Sequence, residues 1–162
     1  MLSPLSAYSF FPARAACPKR AAFATYRRIG GLIAIIPKDW KYLRGDIYYA
    51  YREPPIASEQ GGTRPVVVLQ NDVGNRYAPT LIVATVTSRT EKKRYQPTHV
   101  LIAHNTAFEK PSVVQLEQIF TIDKSRIQRF LGQTTRHEMR RIEEALMNSL
   151  EINEWDRRNA NE

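Results

Sequence analysis

From Lys41 onward the chain alternates short apolar runs with turn residues, the pattern of a compact barrel or sandwich. Residues 47–51 read as a first strand, ended by Pro54 and Pro55. Residues 58–62 then form a polar loop in which two glycines allow positive φ or close approach of a ligand to the backbone. Residues 65–70 and 81–87 are almost wholly apolar and β-branched, which predicts central strands buried on both faces. A turn is expected between them at 71–75, and shorter strands at 99–102, 112–116 and 118–122. One helix begins near Thr135, where Thr135 and Glu138 make a capping box. Met139, Ile142, Leu146 and Leu150 then recur at spacings of three and four, and that face is expected to pack on the barrel. The prediction is a mainly β (α+β) domain over residues 39–155 followed by a polar tail at 156–162.

Residues 1–38 do not share this patterning. They are rich in Ala, Pro, Arg and aromatics, and contain six basic residues and no acid. The expectation is a disordered leader, or upstream sequence translated from a misassigned start. The composition suits an organelle transit peptide better than a secretory signal, because the best apolar run, 32–36, is too short for an h-region. The leader also absorbs most of the charge. The whole chain carries 24 basic and 16 acidic residues, net +8, of which only +2 is left after residue 38. Net charge is therefore a weak guide to what the folded part binds. No apolar run approaches the ~18–20 residues of a membrane span, which excludes an integral helical membrane protein. A single cysteine, Cys17, excludes a disulfide framework and cysteine-based zinc binding, and suits a reducing compartment.

Candidate chemistry is sparse. A pair of histidines acting as base and acid is disfavoured, because His99 and His104 are five apart and would face opposite sides of a continuous strand, while His137 sits at a helix start. No HExxH, clustered Asp motif or Cys/His spacing for a metal occurs. What remains is a set of polar residues at the ends of apolar strands: Glu59, Gln60, Arg64, Thr87, Thr98, Glu117 and Gln118. Taken singly, each also reads as an ordinary surface or strand-end residue.

Longer runs carry a more specific signal. Residues 44–50 (RGDIYYA), 58–66 (SEQGGTRPV), 70–76 (QNDVGNR), Pro79-Thr80, Thr87-Ser88, 97–100 (PTHV), 112–114 (SVV), 116–119 (LEQI) and 121–124 (TIDK) occur in this order. They resemble the MazF/PemK family of toxin endoribonucleases of type II toxin–antitoxin systems, over roughly residues 42–152 and not over 1–38. Phe120 departs from the pattern, standing where close relatives carry arginine, and this removes a possible phosphate contact.

The resemblance implies an SH3-like antiparallel barrel of the MazF/PemK/CcdB type with a C-terminal helix. It implies a cytoplasmic homodimer that cleaves single-stranded RNA, such as mRNA, at a short sequence without metal or other cofactor. It also implies a cognate acidic antitoxin that lies across the RNA site. Carried over by motif, Arg64 and Thr87 are the catalytic pair, and Glu59, Gln60, Pro97, Thr98, His99, Glu117 and Gln118 line the RNA channel. Tyr49 or Tyr77 could stack an unpaired base, although Tyr49 reads more simply as barrel packing.

The chemistry is coherent on its own terms. Attack of a ribose 2′-OH on the adjacent phosphate needs a base, stabilisation of the phosphorane and a proton for the departing 5′ oxygen. Arg64 suits the second task through its planar fork, and Thr87 can donate one more hydrogen bond. With a pKa above ~12, arginine is a poor base. The base is left unassigned, with Glu59 a candidate provided that it reaches the 2′-OH. The rival reading is a noncatalytic interaction module of the same barrel shape, binding a protein partner or nucleic acid.

Overall fold

The computed structural model describes residues 36–37, 39–52, 62–91 and 95–152. The expected leader (apart from residues 36 and 37), the loop holding Glu59 and Gln60, and the polar tail lie outside the described residues. Among these described residues, six strands and two α-helices follow in order: β1 (Asp46–Arg52), β2 (Gly62–Val68), α1 (Asp72–Tyr77), β3 (Thr80–Thr87), β4 (His99–Ile102), β5 (Ser112–Asp123), β6 (Ile127–Gln133) and α2 (Arg136–Leu150). All strand pairs are antiparallel, in the order β4-β5-β3-β2-β1-β6.

The two faces of this sheet have different partners. Ile47, Val67, Ala84, Val86, Val100 and Val114 form one buried cluster with Ile142 and Ala145 of α2, and Met139 and Leu146 pack against it. Register partners share a face, so the other face carries Tyr48, Val66, Val68, Val83 and Thr85, with Tyr48 and Phe130 stacked at 5.4 Å and Trp40 against Phe130 at 5.3 Å. This second face is concave. Arg52 of β1 reaches Phe120 of β5, three strand spacings away, with its guanidinium carbon 4.6 Å from the ring centroid. On a flat sheet those strands would stand roughly 14 Å apart, so the contact requires a sheet curled like a barrel wall. The mainly β barrel with a C-terminal helix is therefore as expected.

The chain enters β1 through a tight knot. Gly45 has φ +82°, and a Cβ there would meet Thr134 Oγ1 at 2.6 Å, so only glycine fits. Its N–H donates to Val68 O and its carbonyl accepts from Thr134 N, at 2.8 and 2.9 Å. The capping box is present, with Thr135 N donating to Glu138 Oε2 and Glu138 N to Thr135 Oγ1.

Three local expectations need correction, and one strand was not foreseen. The turn at 71–75 is the short helix α1, nucleated by the Asn71 side chain accepting from Gly74 N at 2.7 Å. The two short strands at 112–116 and 118–122 are one strand, β5, with an irregularity between them. Thr85 pairs with Gln115 but Ala84 pairs with Ile119, leaving Leu116, Glu117 and Gln118 unmatched on β3. Strand β6 had no period-2 signal, because register shifts against β1 let the adjacent Phe130 and Leu131 both be buried, one on each face. Leu150, in the last turn of α2, is 56% exposed rather than packed on the barrel.

Candidate functional site

The β2–β3 ladder pairs Val68 with Val83, Val67 with Ala84 and Val66 with Thr85. Carried two residues further in the same register, it sets Arg64 opposite Thr87, near the ends of their strands and on the concave face. Directly opposed residues have Cα atoms about 4.5–5.5 Å apart, so the two side chains can serve one phosphate. Arg64 is exposed and Thr87 is buried at the strand end. Thr87 Oγ1 accepts from Arg89 N at 3.2 Å, and a hydroxyl in that state still has its proton to donate.

Beside this pair lies a carboxylate held by three side chains. Thr85 is opposite Gln115, which is in turn opposite His99, so Thr87, Thr85, Gln115 and His99 share one face. Glu117, in the irregular stretch of β5, takes His99 Nε2 at 2.6 Å and Gln115 Nε2 at 3.1 Å on Oε1, and Thr98 Oγ1 at 3.3 Å on Oε2. The break in the β5 ladder is what frees Glu117 from β3 and lets it meet β4. Partial burial works against ionisation of Glu117, but the hydrogen bonds from His99, its own backbone N–H and Gln115 outweigh it. They hold its carboxyl below the ordinary carboxylate range. An ionised Glu117 has no proton to share, so the hydrogen in the 2.6 Å contact belongs to His99 Nε2.

This linkage has a sign. Because the folded state holds the Glu117 carboxyl below its unfolded value, the contribution is present above the ordinary carboxylate range and disappears as pH falls through the folded value. Thermal melts between pH 7 and pH 3 are expected to show a smaller acid-side loss of stability for Glu117→Gln than for the unaltered chain. Parallel curves would show that the carboxylate contributes nothing to acid sensitivity.

The other sequence candidates divide. Pro97 is exposed in the turn before β4, Thr98 and Gln118 are half-buried, and the His99 side chain is 1% exposed, so His99 reaches the site through Glu117 rather than directly. His104 lies past the end of β4 and is exposed, as is His137, and neither joins His99. Tyr49 packs against the core under Arg129, whose guanidinium lies 5.0 Å from the ring centroid. Tyr77 is 74% exposed but follows β2 at the end of β3 remote from Thr87. Among the described residues no three His, Cys, Asp or Glu side chains cluster to hold a metal ion, and no helix is long and apolar enough to cross a membrane.

Sequence reasoning missed Gln115 and the Arg52–Phe120 contact. Gln115 had a signal: it is a polar residue enclosed in the apolar run Val113-Val114-Gln115-Leu116 and is 2% exposed. A polar side chain buried in such a run must have a partner, here Glu117. The Arg52 contact depends on sheet curvature and had none.

Comparison with known proteins identifies the family and the fold. Residues 43–150 match the model of the PemK-like, MazF-like toxin of type II toxin–antitoxin systems. The endoribonuclease EndoA of Bacillus subtilis is 48% identical over 110 residues, which is 67% of this chain and 94% of that protein. Among solved structures, MazF from Deinococcus radiodurans superposes with a TM-score of 0.60 at 23% identity, covering 69% of this chain and 98% of its own. A mycobacterial endoribonuclease in complex with its cognate antitoxin gives 0.55 at 24% identity, covering 67% and 94%. At these identities the two structures speak for the fold.

Proposed function

The chain belongs to the PemK-like, MazF-like toxin family of type II toxin–antitoxin systems, and from that premise we propose that Arg64 and Thr87 are the catalytic pair of its endoribonuclease. The observation that supports the assignment is the β2–β3 register, whose continuation two residues beyond Val66–Thr85 sets Arg64 opposite Thr87. The substrate is single-stranded RNA, cut selectively within the mRNA of the cytoplasm. The ribose 2′ oxygen bonds to phosphorus as the P–O5′ bond breaks. The 2′ proton passes to a base and the 5′ oxygen gains a proton, so the products are a 2′,3′-cyclic phosphate and a 5′-hydroxyl. Arg64 holds two phosphate oxygens with its fork, and the Thr87 hydroxyl donates to the charge that builds on the phosphorane. Neither task needs a metal.

Glu59, Gln60, Pro97, Thr98, His99, Glu117 and Gln118 line the RNA channel in this reading. Glu117 fixes the position of Thr98 and, with His99 and Gln115, stiffens the channel wall. The active species is a homodimer, and an acidic segment of a cognate antitoxin competes with RNA for the basic concave face, binding more weakly as salt rises. Residues 39–155 are the working domain. A long single-stranded RNA incubated in EDTA with the full chain, and with a chain starting at Asp39, should be cut at the same sites with cyclic-phosphate and 5′-hydroxyl ends. Products with 5′-phosphates or a strict Mg²⁺ requirement would sink the mechanism. Loss of specific cleavage on removing residues 1–38 would sink the domain assignment alone.

A further inference from the structure

We propose that Arg52, braced on the Phe120 ring, is a substrate-positioning residue that holds the phosphate next to the one being cut. The inference rests on the RNA-cleaving reading above. Three observations support it. First, Arg52 is opposite Gly62 and Arg64 is opposite Ala50, so the two arginines are diagonal neighbours on one face of β1 and β2. Diagonal pairs have Cα atoms about 7–8 Å apart, which lets two guanidinium groups hold successive charges of one strand. Second, the two residues that complete this square are Gly62 and Ala50, so neither places a bulky side chain between the arginines. Third, the Arg52 guanidinium lies 4.6 Å from the centroid of Phe120.

The third observation explains how a long side chain could act as a fixed contact. An aromatic ring engages a guanidinium through the flat face of the cation, leaving its N–H donors pointing outward in the plane. Stacking thus removes side-chain freedom that would otherwise be lost on binding. Phe120 cannot contact a phosphate itself, but it holds in place a cation that can. Two cations on one concave face, with only small residues between them, match a backbone that brings a negative charge with every nucleotide.

The alternative is that the Arg52–Phe120 contact only closes the barrel wall. Binding of a short single-stranded RNA, made uncleavable by a 2′-deoxy sugar at the cut, separates the two. Arg52→Ala should weaken binding about 10-fold, the loss of one charge-assisted contact. It should also flatten the slope of log affinity against log salt by about 0.7, the value for one released counterion on a single strand. With cleavable RNA the loss should appear in KM, with kcat nearly unchanged. A neutral methylphosphonate at the flanking linkage should weaken the unaltered chain by a similar factor and Arg52→Ala no further. Phe120→Leu should show a smaller loss of affinity with the salt slope intact.

If Arg52→Ala binds with unchanged affinity and slope while the unaltered chain cleaves, the contact serves the fold and the proposal is overturned. The same follows if the methylphosphonate and Arg52→Ala losses add. If the unaltered chain neither binds nor cleaves single-stranded RNA, the underlying reading fails and takes this one with it.

Discussion

Arg64→Ala should lower the rate of RNA cleavage by about 10²–10³, the cost of losing one preorganised donor to a developing oxyanion, with little change in melting temperature. The fold should tolerate the change because Arg64 is exposed at the end of β2, two residues beyond the last ladder pair with β3. Arg64→Lys should remain badly impaired, since a point ammonium cannot hold two phosphate oxygens in one plane. Thr87 offers an independent check. Its side chain is buried, and Thr87→Val keeps the shape while removing the hydroxyl, so it should lose activity, whereas Thr87→Ser should keep much of it. RNA binding by Arg64→Ala should fall less than the rate does, as required of a contact that strengthens toward the transition state. Normal cleavage by a folded Arg64→Ala protein would remove the catalytic assignment and favour a noncatalytic barrel that binds a partner.

Arg64 and Thr87 stand among several polar residues at the ends of apolar strands, and the family resemblance is what singles them out as catalytic candidates. Arg64 follows a Gly-Gly pair, and Thr87 closes a strand of Val, Ile and Leu. Their adjacency was not legible, since it depends on the β2–β3 register, which no local pattern states. The break in β5 left a partial trace: an interrupted alternation around Glu117 suggested two strands, where the chain makes one strand with three residues unmatched on β3. Strand β6 left none, because its register shifts cancel the alternation by which a half-buried strand is recognised. The Asn71–Asn75 segment shows the opposite failure. Residues with strong turn preferences can also cap a helix, and here Asn71 does so. Arg44-Gly45-Asp46 was visible as a motif, but its sequence gave no hint whether it serves chemistry or the fold.

The contacts of Asp46 assign that motif to the fold, and Asp46→Ala is expected to be the most destabilising of the substitutions discussed. Asp46 is fully buried, yet each oxygen is engaged. Oδ2 accepts from Leu43 N and from the Tyr48 hydroxyl, both at 2.7 Å, and Oδ1 accepts from Gln133 Nε2 at 2.7 Å. Tyr48 in turn accepts from Trp40 Nε1 at 2.8 Å, so one carboxylate ties the segment before β1 to β1 itself and to the end of β6. Truncation strands buried donors on all three, and breaking such a buried charged network typically costs about 3–5 kcal/mol. In a domain of this size that should lower the melting temperature by about 10 °C or more. Asp46→Asn should cost less, because its amide oxygen can keep the Leu43 N–H and the Tyr48 hydroxyl while the Gln133 amide turns to accept from the new NH2. The folded fraction of Asp46→Asn should cleave RNA at a near-normal rate, since Leu43, Tyr48 and Gln133 are fold contacts. A melting temperature for Asp46→Ala within 2 °C of the unaltered chain would show that the network does not hold the entry to β1. A stable Asp46→Asn protein with no activity would move Asp46 from the scaffold into the site.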